Sequence, residues 1–319
     1  LPLTRKTDTV FVVADPIVSV ILPTYNRAGL LREAIDSVRR QTFRSWELVV
    51  VDDGSTDATG ALLAGLDEPN LRALRTAHSG NPARARNVGL AEARGQYVAF
   101  LDDDDLWLPE KLAVQLPLLT GGDFRWSYTG FISMNARGEH IWQTPLDRIP
   151  TGRILEPLLE LRAAVALPTV IAERTLIEGV GGFDEAMRTR EDYALWLELA
   201  ARAEVAASPA PLVVVRDHAG RVFRPEGYRV SVALYERWFA RLTHPRLRRI
   251  CRRRIADSYL VDARYRFRVG QKRLAAAGAL AAVYRDPRYA FSQLLLSLQR
   301  RLAAWAGRMG ARSLGQRHV

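Results

Sequence analysis

Four consecutive carboxylates, Asp102-Asp103-Asp104-Asp105, follow the apolar run Tyr97-Val98-Ala99-Phe100-Leu101. Like charges this close repel one another, raise the pKa of some members and strain any compact arrangement. A divalent cation removes that penalty, and hard cations prefer oxygen ligands. On extended backbone Asp102 and Asp104 point one way and Asp103 the other, while Asp105 is placed to cap a following helix. Two more polar clusters close apolar runs: Pro23-Thr24-Tyr25-Asn26 after Ile17–Leu22, and Asp52-Asp53-Gly54-Ser55 after Glu47–Val51. In open parallel sheets ligands sit beyond the carboxyl ends of the strands, so three such ends could line one site. Each has a plainer reading: a solvated acidic loop, a tight turn at Asp53-Gly54, a half-buried strand-end aromatic at Tyr25.

The elements that must position these clusters alternate between strand and helix. Ile17–Leu22, Glu47–Val51, Leu71–Leu74 and Gln96–Leu101 read as strands. Leu30, Leu31, Ala34, Ile35 and Val38 recur at helical spacing over about 28–41, and helices are expected from Asp57 to Leu66 and from Ala83 to Ala93. Strands separated by helices of this length argue for βαβ units and an α/β, mainly parallel sheet flanked by helices. Beyond Pro109 the pattern predicts a helix to about Leu119, and a hairpin of Phe124–Met134 and Glu139–Gln143 around Asn135-Ala136-Arg137-Gly138. Further helices are expected near Ile154–Leu161 and Glu191–Ala203, with a strand at Leu212–Val215. From about Tyr228 nearly everything reads helical. Gly270–Pro287 resembles half of a helical-hairpin repeat, but one copy is no array.

Five ordered motifs together resemble glycosyltransferase family 2. They are Val18-Ser19-Val20-Ile21-Leu22-Pro23-Thr24-Tyr25-Asn26, Glu47–Asp57, Arg84-Ala85-Arg86-Asn87-Val88-Gly89-Leu90-Ala91, Tyr97–Asp105, and Gly182-Phe183-Asp184-Glu185 followed by Glu191-Asp192-Tyr193-Ala194-Leu195-Trp196. The resemblance spans roughly residues 17–218. It implies a GT-A fold, a nucleotide-sugar donor (a UDP-sugar is favoured), a divalent metal (Mn or Mg) and inversion at the anomeric carbon. It divides the chain into an N-terminal extension (1–16), a nucleotide-sugar-binding half (17–105), an acceptor-binding and catalytic half (106–227) and a basic helical C-terminal region (228–319).

By the same resemblance Asp104 ligates the metal, and Asp102 and Asp103 share contacts to the ribose and the metal's water shell. Asp53 accepts a hydrogen bond from the base, Tyr25 stacks on it and Pro23 shapes the pocket floor. Thr24, Asn26 and Arg84 complete the nucleotide-binding set. Inversion by single displacement needs one general base and no protein nucleophile, and Asp192 is the candidate, at the start of a helix whose apolar face includes Leu195, Trp196 and Leu199. The alternative is that Glu191 and Asp192 only complement the helix dipole, a placement that by itself lowers a carboxylate pKa. His218 is either a third metal or diphosphate contact or a local hydrogen-bonding residue. Arg216 and Arg221 are candidates for phosphate, and Glu191 and Trp196 for the acceptor side. Trp107, Trp126, Trp142 and Trp238 are better assigned to core packing than to sugar stacking.

The 319 residues carry 46 Lys+Arg against 35 acids, a formal +11, yet only Lys6, Lys111 and Lys272 are lysine. That skew, with so much alanine, fits GC-rich coding better than a polyanion partner, and no nucleic-acid recognition motif is found. The charge is uneven: residues 246–319 hold 18 basic and three acidic residues, a net +15. In that region Phe291, Leu294, Leu295, Leu298, Leu302 and Trp305 fall on one helix face with Arg300, Arg301 and Arg308 nearby. Such a face suits an anionic membrane surface, packing against the body, or a homodimer interface; the three stay open. The single cysteine, Cys251, excludes an internal disulfide, and no Cys/His spacing fits zinc. With no apolar run near the ~20 residues that span a bilayer and no usual secretory signal, the expected location is the cytoplasm, with the basic helices against the inner membrane face if they bind lipid. The reading that follows is an inverting transferase moving a sugar to an acceptor hydroxyl on a glycan or lipid-linked sugar, in bacterial polysaccharide, glycolipid or other glycoconjugate synthesis. A sugar nucleotidyltransferase would need a glycine-rich, basic loop directly after the first strand, where Pro23-Thr24-Tyr25-Asn26-Arg27-Ala28-Gly29 offers one late glycine. A dinucleotide oxidoreductase lacks its G-x-G-x-x-G. An inactive relative that binds nucleotide or glycan as an assembly subunit is disfavoured by the intact Asp102, Asp104 and Asp192.

Overall fold

The computed structural model describes residues 15–66, 68–217 and 227–293, with 295, 296 and 299. By internal contacts the chain divides into two units, residues 1–154 with 163–219, and residues 155–162 with 220–319.

Runs of apolar residues without polar alternation demand burial on both faces, and the first unit is built on them. In chain order its first half comprises β1 (Val18–Thr24), α1 (Ala28–Arg39), β2 (Trp46–Asp52), α2 (Thr59–Ala64), β3 (Leu71–Arg75), α3 (Pro82–Glu92) and β4 (Tyr97–Phe100). Every residue of β2 and β4 is buried. β1 lies parallel between β2 and β4, and β3 parallel outside β2. The register sets Thr24 opposite Asp52 and Ile21 opposite Phe100, so the three polar clusters leave the sheet at one rim. The α1 stripe Leu31, Ala34, Ile35 and Val38 is buried as its spacing predicts. At α3, Asn81 caps the helix by accepting from Ala83 N at 3.1 Å, with Pro82 in the first turn. Gly89 lets this helix approach closely: a Cβ there would meet Ile21 Cγ2 at 2.5 Å.

The second half adds β5 (Leu106–Trp107), α4 (Lys111–Gln115), α5 (Pro117–Thr120), β6 (Trp126–Met134), β7 (His140–Gln143), α6 (Leu155–Leu159, in the second unit), β8 (Ile171–Glu173), α7 (Arg174–Gly179), α8 (Glu191–Ala200) and β9 (Val205–Arg216). The sheet runs β3-β2-β1-β4-β8-β6-β9-β5, with β7 paired off β6. Parallel ladders hold most paired residues; β8 introduces antiparallel pairing to β4 and β6, and β5 pairs antiparallel with β9. The helix expected over 109–119 is two short ones, because Pro117 has no N–H with which to continue α4. The hairpin forms as β6 and β7. The strand expected at Leu212–Val215 starts earlier, and its register on β6 shifts around Gly130, where Pro209 and Pro211 cannot donate to the ladder. The short β5 and β8, and α7, carry no sequence signal strong enough to be read.

The second unit contains α9 (Gly227–Arg241), α10 (Pro245–Arg268) and α11 (Lys272–Arg285). Ala256, Leu260, Ala282 and Ala290 form its small apolar core, with Tyr259, Val283 and Tyr289 packed against them. Four of its described arginines lie over aromatic rings, among them Arg241 over Trp238 at 4.6 Å and Arg248 over Phe239 at 4.2 Å. Among its described acids, Asp257 pairs with Arg254 and the Tyr289 hydroxyl, and Asp262 with Arg266. No described helix is long and apolar enough to cross a membrane.

Candidate active site

The loops after β1 and β2 are latched to each other. Asn26, in the left-handed region at φ 53°, accepts from Thr56 N at 2.7 Å and Asp57 N at 3.3 Å, and its own N–H donates to Ser55 Oγ at 2.9 Å. Its side chain thus fixes the loop pair. Asp53 organises the β3–α3 loop: Oδ1 accepts from Ser79 N (2.9 Å) and Ser79 Oγ (3.0 Å), and Oδ2 from Gly80 N (2.9 Å). His78 Nδ1 lies 3.1 Å from the same Oδ2. The imidazole stacks on Tyr25 with ring centroids 3.9 Å apart. Gly54 makes this approach feasible, with φ +76° and a Cβ that would meet His78 N at 2.8 Å. Pro23 is half-buried in β1.

The carboxylates after β4 converge by a turn rather than by extended alternation: Asp105 N donates to Asp102 O at 3.1 Å. Ligand oxygens of Asp102, Asp104 and Asp105 all lie within 4.8 Å of one another. Asp103 faces away from that group, accepting from Thr24 Oγ1 at 2.8 Å and Arg27 Nη1 at 2.9 Å. The same Arg27 nitrogen reaches Asp104 at 2.8 Å. Asp105 does not cap a helix, since β5 follows it; it accepts instead from Arg216 N at 3.0 Å. Arg216 completes the brace with Nε to Asp104 O at 2.7 Å and Nη1 to Glu33 at 2.7 Å. Its Nη2 is buried with no hydrogen-bond partner among the described residues.

Behind this loop lies an arginine the sequence did not single out. Arg86, on the buried face of α3, donates at 2.7 Å to both Asp102 and Glu191, and its guanidinium lies 5.5 Å from the centre of the Phe183 ring. Burial disfavours its charge, but Asp102 and Glu191 outweigh that and raise its pKa above the ordinary arginine value. Burial raises the Asp102 and Asp103 carboxyls, opposed by Arg86 and Arg27 respectively. Arg84, two residues earlier, is on the exposed face of α3. Asn87 holds the turn before α8 by pairing with both backbone groups of Phe183 at 2.9 Å.

Glu191 and Asp192 open α8, after Arg190 at φ 61°. Burial and the neighbouring Glu191 push the Asp192 carboxyl up to about 6, against the pull of Arg86 and of a hydrogen bond from Tyr193 N at 2.6 Å. The lowering expected of a helix N-terminus is therefore overcome by desolvation. Trp196 is fully buried, its ring 6.2 Å from Trp126 and 6.4 Å from Phe100. It is a core residue and does not meet an acceptor at the surface. Trp107, Trp126 and Trp238 are buried as expected, whereas Trp142 is 38% exposed. His218 and Arg221 lie outside the described residues.

The group Asp102, Asp104 and Asp105 is an all-oxygen donor set of the kind a hard divalent cation prefers. Beside it, a carboxylate near neutral pKa suits proton removal at physiological pH. The glycosyl transferase family 2 model matches residues 19–169. A Rickettsia felis glycosyltransferase is 34% identical over 211 residues, covering 66% of this chain but only 34% of the relative, so the chain spans about a third of that protein. The Escherichia coli UDP-Glc:alpha-D-GlcNAc-diphosphoundecaprenol beta-1,3-glucosyltransferase WfgD is 30% identical over 185 residues, 58% of this chain and 70% of WfgD. The solved S. aureus protein TarS superposes with a TM-score of 0.63 at 20% identity, over 86% of this chain and 82% of that one; at this identity the likeness is one of fold, here the GT-A type. With ordered motifs, sheet and relatives in agreement, the chain belongs to glycosyltransferase family 2.

Proposed function

We propose that this chain transfers a sugar from a nucleotide-diphosphate sugar, a UDP-sugar by preference, to an acceptor hydroxyl with inversion, in the synthesis of a bacterial polysaccharide or related glycoconjugate. The observation that carries the reading is the convergence of Asp102, Asp104 and Asp105 on one end of the Arg86 bridge whose other end holds Glu191, beside Asp192. Asp102, Asp104 and Asp105 would hold a divalent cation, Mn or Mg, which when bound would supply Lewis-acid stabilisation of the diphosphate leaving group. Asp192 removes the acceptor proton. Arg86 bridges Asp102 and Glu191 and so holds the start of α8 against the donor loop. The buried Nη2 of Arg216 is a donor suited to a phosphate oxygen. Tyr25, stacked on His78, offers a planar apolar surface to a base, while Asp53 shapes that pocket through the loop it organises. WfgD is named for a UDP-Glc donor and a diphosphoundecaprenol-linked acceptor, and TarS has been solved with UDP-GlcNAc; both favour UDP, and WfgD favours a lipid-linked saccharide as acceptor.

The test is a panel of nucleotide sugars, scored by thermal stabilisation and by hydrolysis or transfer, with and without Mn. Stabilisation by UDP-sugars that requires the cation is the expected result. Equal stabilisation in EDTA would remove the cation from the reading, and preference for a nucleoside triphosphate would favour a nucleotidyltransferase.

A further inference from the structure

The helical hairpin of the second unit ends in a tip that is both apolar and cationic. Phe267, Val269 and Leu274 are each at least half exposed, and Arg268, Lys272 and Arg273 stand exposed among them. From residue 263 to 285 the sequence has no acid. The three basic side chains pair with no acid among the described residues, whereas Asp262 is occupied by Arg266 and Asp257 by Arg254 and Tyr289. From the tip an apolar line continues along the outer face of α11 through Ala277 to Leu280, 70% exposed, and Tyr284, 84% exposed. Phe291 and Leu295 are also exposed; Leu294, Leu298, Leu302 and Trp305 of the stripe read from the sequence lie outside the described residues.

A contiguous patch of large exposed apolar side chains marks an interaction surface, and fixed positive charge around it selects the partner's chemistry. A protein surface would have to supply matched acids, while an anionic bilayer supplies diffuse negative charge and an apolar layer at a depth a helix tip can reach. We propose that the α10–α11 tip, with Phe267, Val269 and Leu274 as the inserting side chains and Arg268, Lys272 and Arg273 as the headgroup contacts, docks this protein on an anionic lipid surface. No described helix can span the bilayer, so the contact is peripheral and reversible. It is independent of the donor-site reading, because it requires neither nucleotide nor cation.

The experiment is flotation of the full chain with phosphatidylcholine vesicles and with vesicles containing phosphatidylglycerol, at low and high salt. Binding only to the anionic vesicles, weakened by salt, is expected. Arg268→Gln/Lys272→Gln/Arg273→Gln should lower the partition constant about a hundredfold, since each cation near the surface contributes roughly a fivefold factor. Phe267→Ser/Val269→Ser should abolish binding at moderate salt. These positions are exposed, and unchanged circular dichroism and melting would show that the fold persists. No binding at low salt, equal binding to neutral vesicles, or full binding by both tip variants overturns the proposal. So does light scattering that finds a dimer dissolved by Leu280→Ser/Tyr284→Ser, because the face would then be covered by a second copy.

Discussion

The carboxylates that end β2 and those that end β4 share a chemistry and differ in company. At β2, Asp53 takes its hydrogen bonds chiefly from the neutral donors Ser79 N, Ser79 Oγ and Gly80 N, and Asp52 takes one from Ser55 N beside Arg75. At β4 the partners are mainly cations, Arg86 on Asp102 and Arg27 on Asp103 and Asp104, and three oxygens still face one another. Backbone donors fix a carboxylate permanently, because the loop that supplies them cannot leave. A guanidinium is exchangeable for another cation. The difference separates an acidic loop that shapes a pocket from one whose oxygens form the donor set for the proposed cation.

The sharpest way to break that contrast is Asp104→Ala. Transfer should fall at least ~1000-fold, the scale of losing a principal source of transition-state charge stabilisation, and Mn-dependent UDP binding should weaken with it. Melting should change little, since Asp104 lies in a turn. Full activity in the variant, or wild-type activity in EDTA, would end the metal assignment. Asp192→Asn follows, with turnover reduced roughly 100- to 10,000-fold while donor affinity survives; an equal collapse of donor affinity would make Asp192 structural. In the unsubstituted protein kcat/KM should rise with pH through about 6, because the base works only when ionised. The sign for stability is opposite. A carboxyl raised on folding binds its proton more tightly in the folded chain, so stability is lost as pH rises from about 3.8 to about 6. Asp192→Asn should therefore melt higher than the parent at pH 8, on the order of 1 kcal/mol more stable.

The parallel half of the sheet was legible because double-sided burial writes continuous apolar runs, and the three strand-end clusters stood out against them. The second half was less so: β5 and β8 are two and three residues long, too short for a period of two to register, and β9 hides behind Pro209 and Pro211. Within the candidate site, the carboxylate cluster Asp102–Asp105 was read from residue type and position and Asp192 from the family resemblance, whereas Arg27, His78 and Arg86 were not singled out. Arg86 had a signal. It lies three residues after Ala83 and three before Gly89, on the face of α3 that is buried, and an arginine on a buried face requires carboxylate partners. The abundance of surface arginine concealed it, and Arg84 was read in its place. His78 had none, since its contact with Tyr25 depends on how Asp53 folds a loop more than twenty residues away.

Asp53→Asn sharpens the other side of the comparison. The amide keeps one acceptor and turns an NH2 group toward either Gly80 N or Ser79 N, leaving a donor facing a donor. The expected cost is about 1–3 kcal/mol of stability, with KM for the donor raised through the loop and kcat nearly unchanged. A large loss of kcat with normal melting would mean that Asp53 acts on the reacting groups.

The smallest expected effect tests whether the arginine partners at β4 are exchangeable. Arg27 is 37% exposed at its side chain, and a single nitrogen serves both Asp103 and Asp104. A pair this open to solvent contributes little to stability, so Arg27→Gln should leave the melting temperature almost unchanged. Its charge nevertheless opposes any cation approaching Asp104. Removing it should tighten Mn binding in the absence of nucleotide roughly two- to fivefold, and the gain should shrink as salt screens the exposed guanidinium. Free Mn titrated against both proteins by electron paramagnetic resonance measures this without any turnover. Tighter binding identifies Arg27 as a resident counter-cation that the metal displaces. Weaker binding means that Arg27 holds Asp104 in the geometry the cation needs, and the distinction between fixed and exchangeable partners would then apply to Arg86 alone.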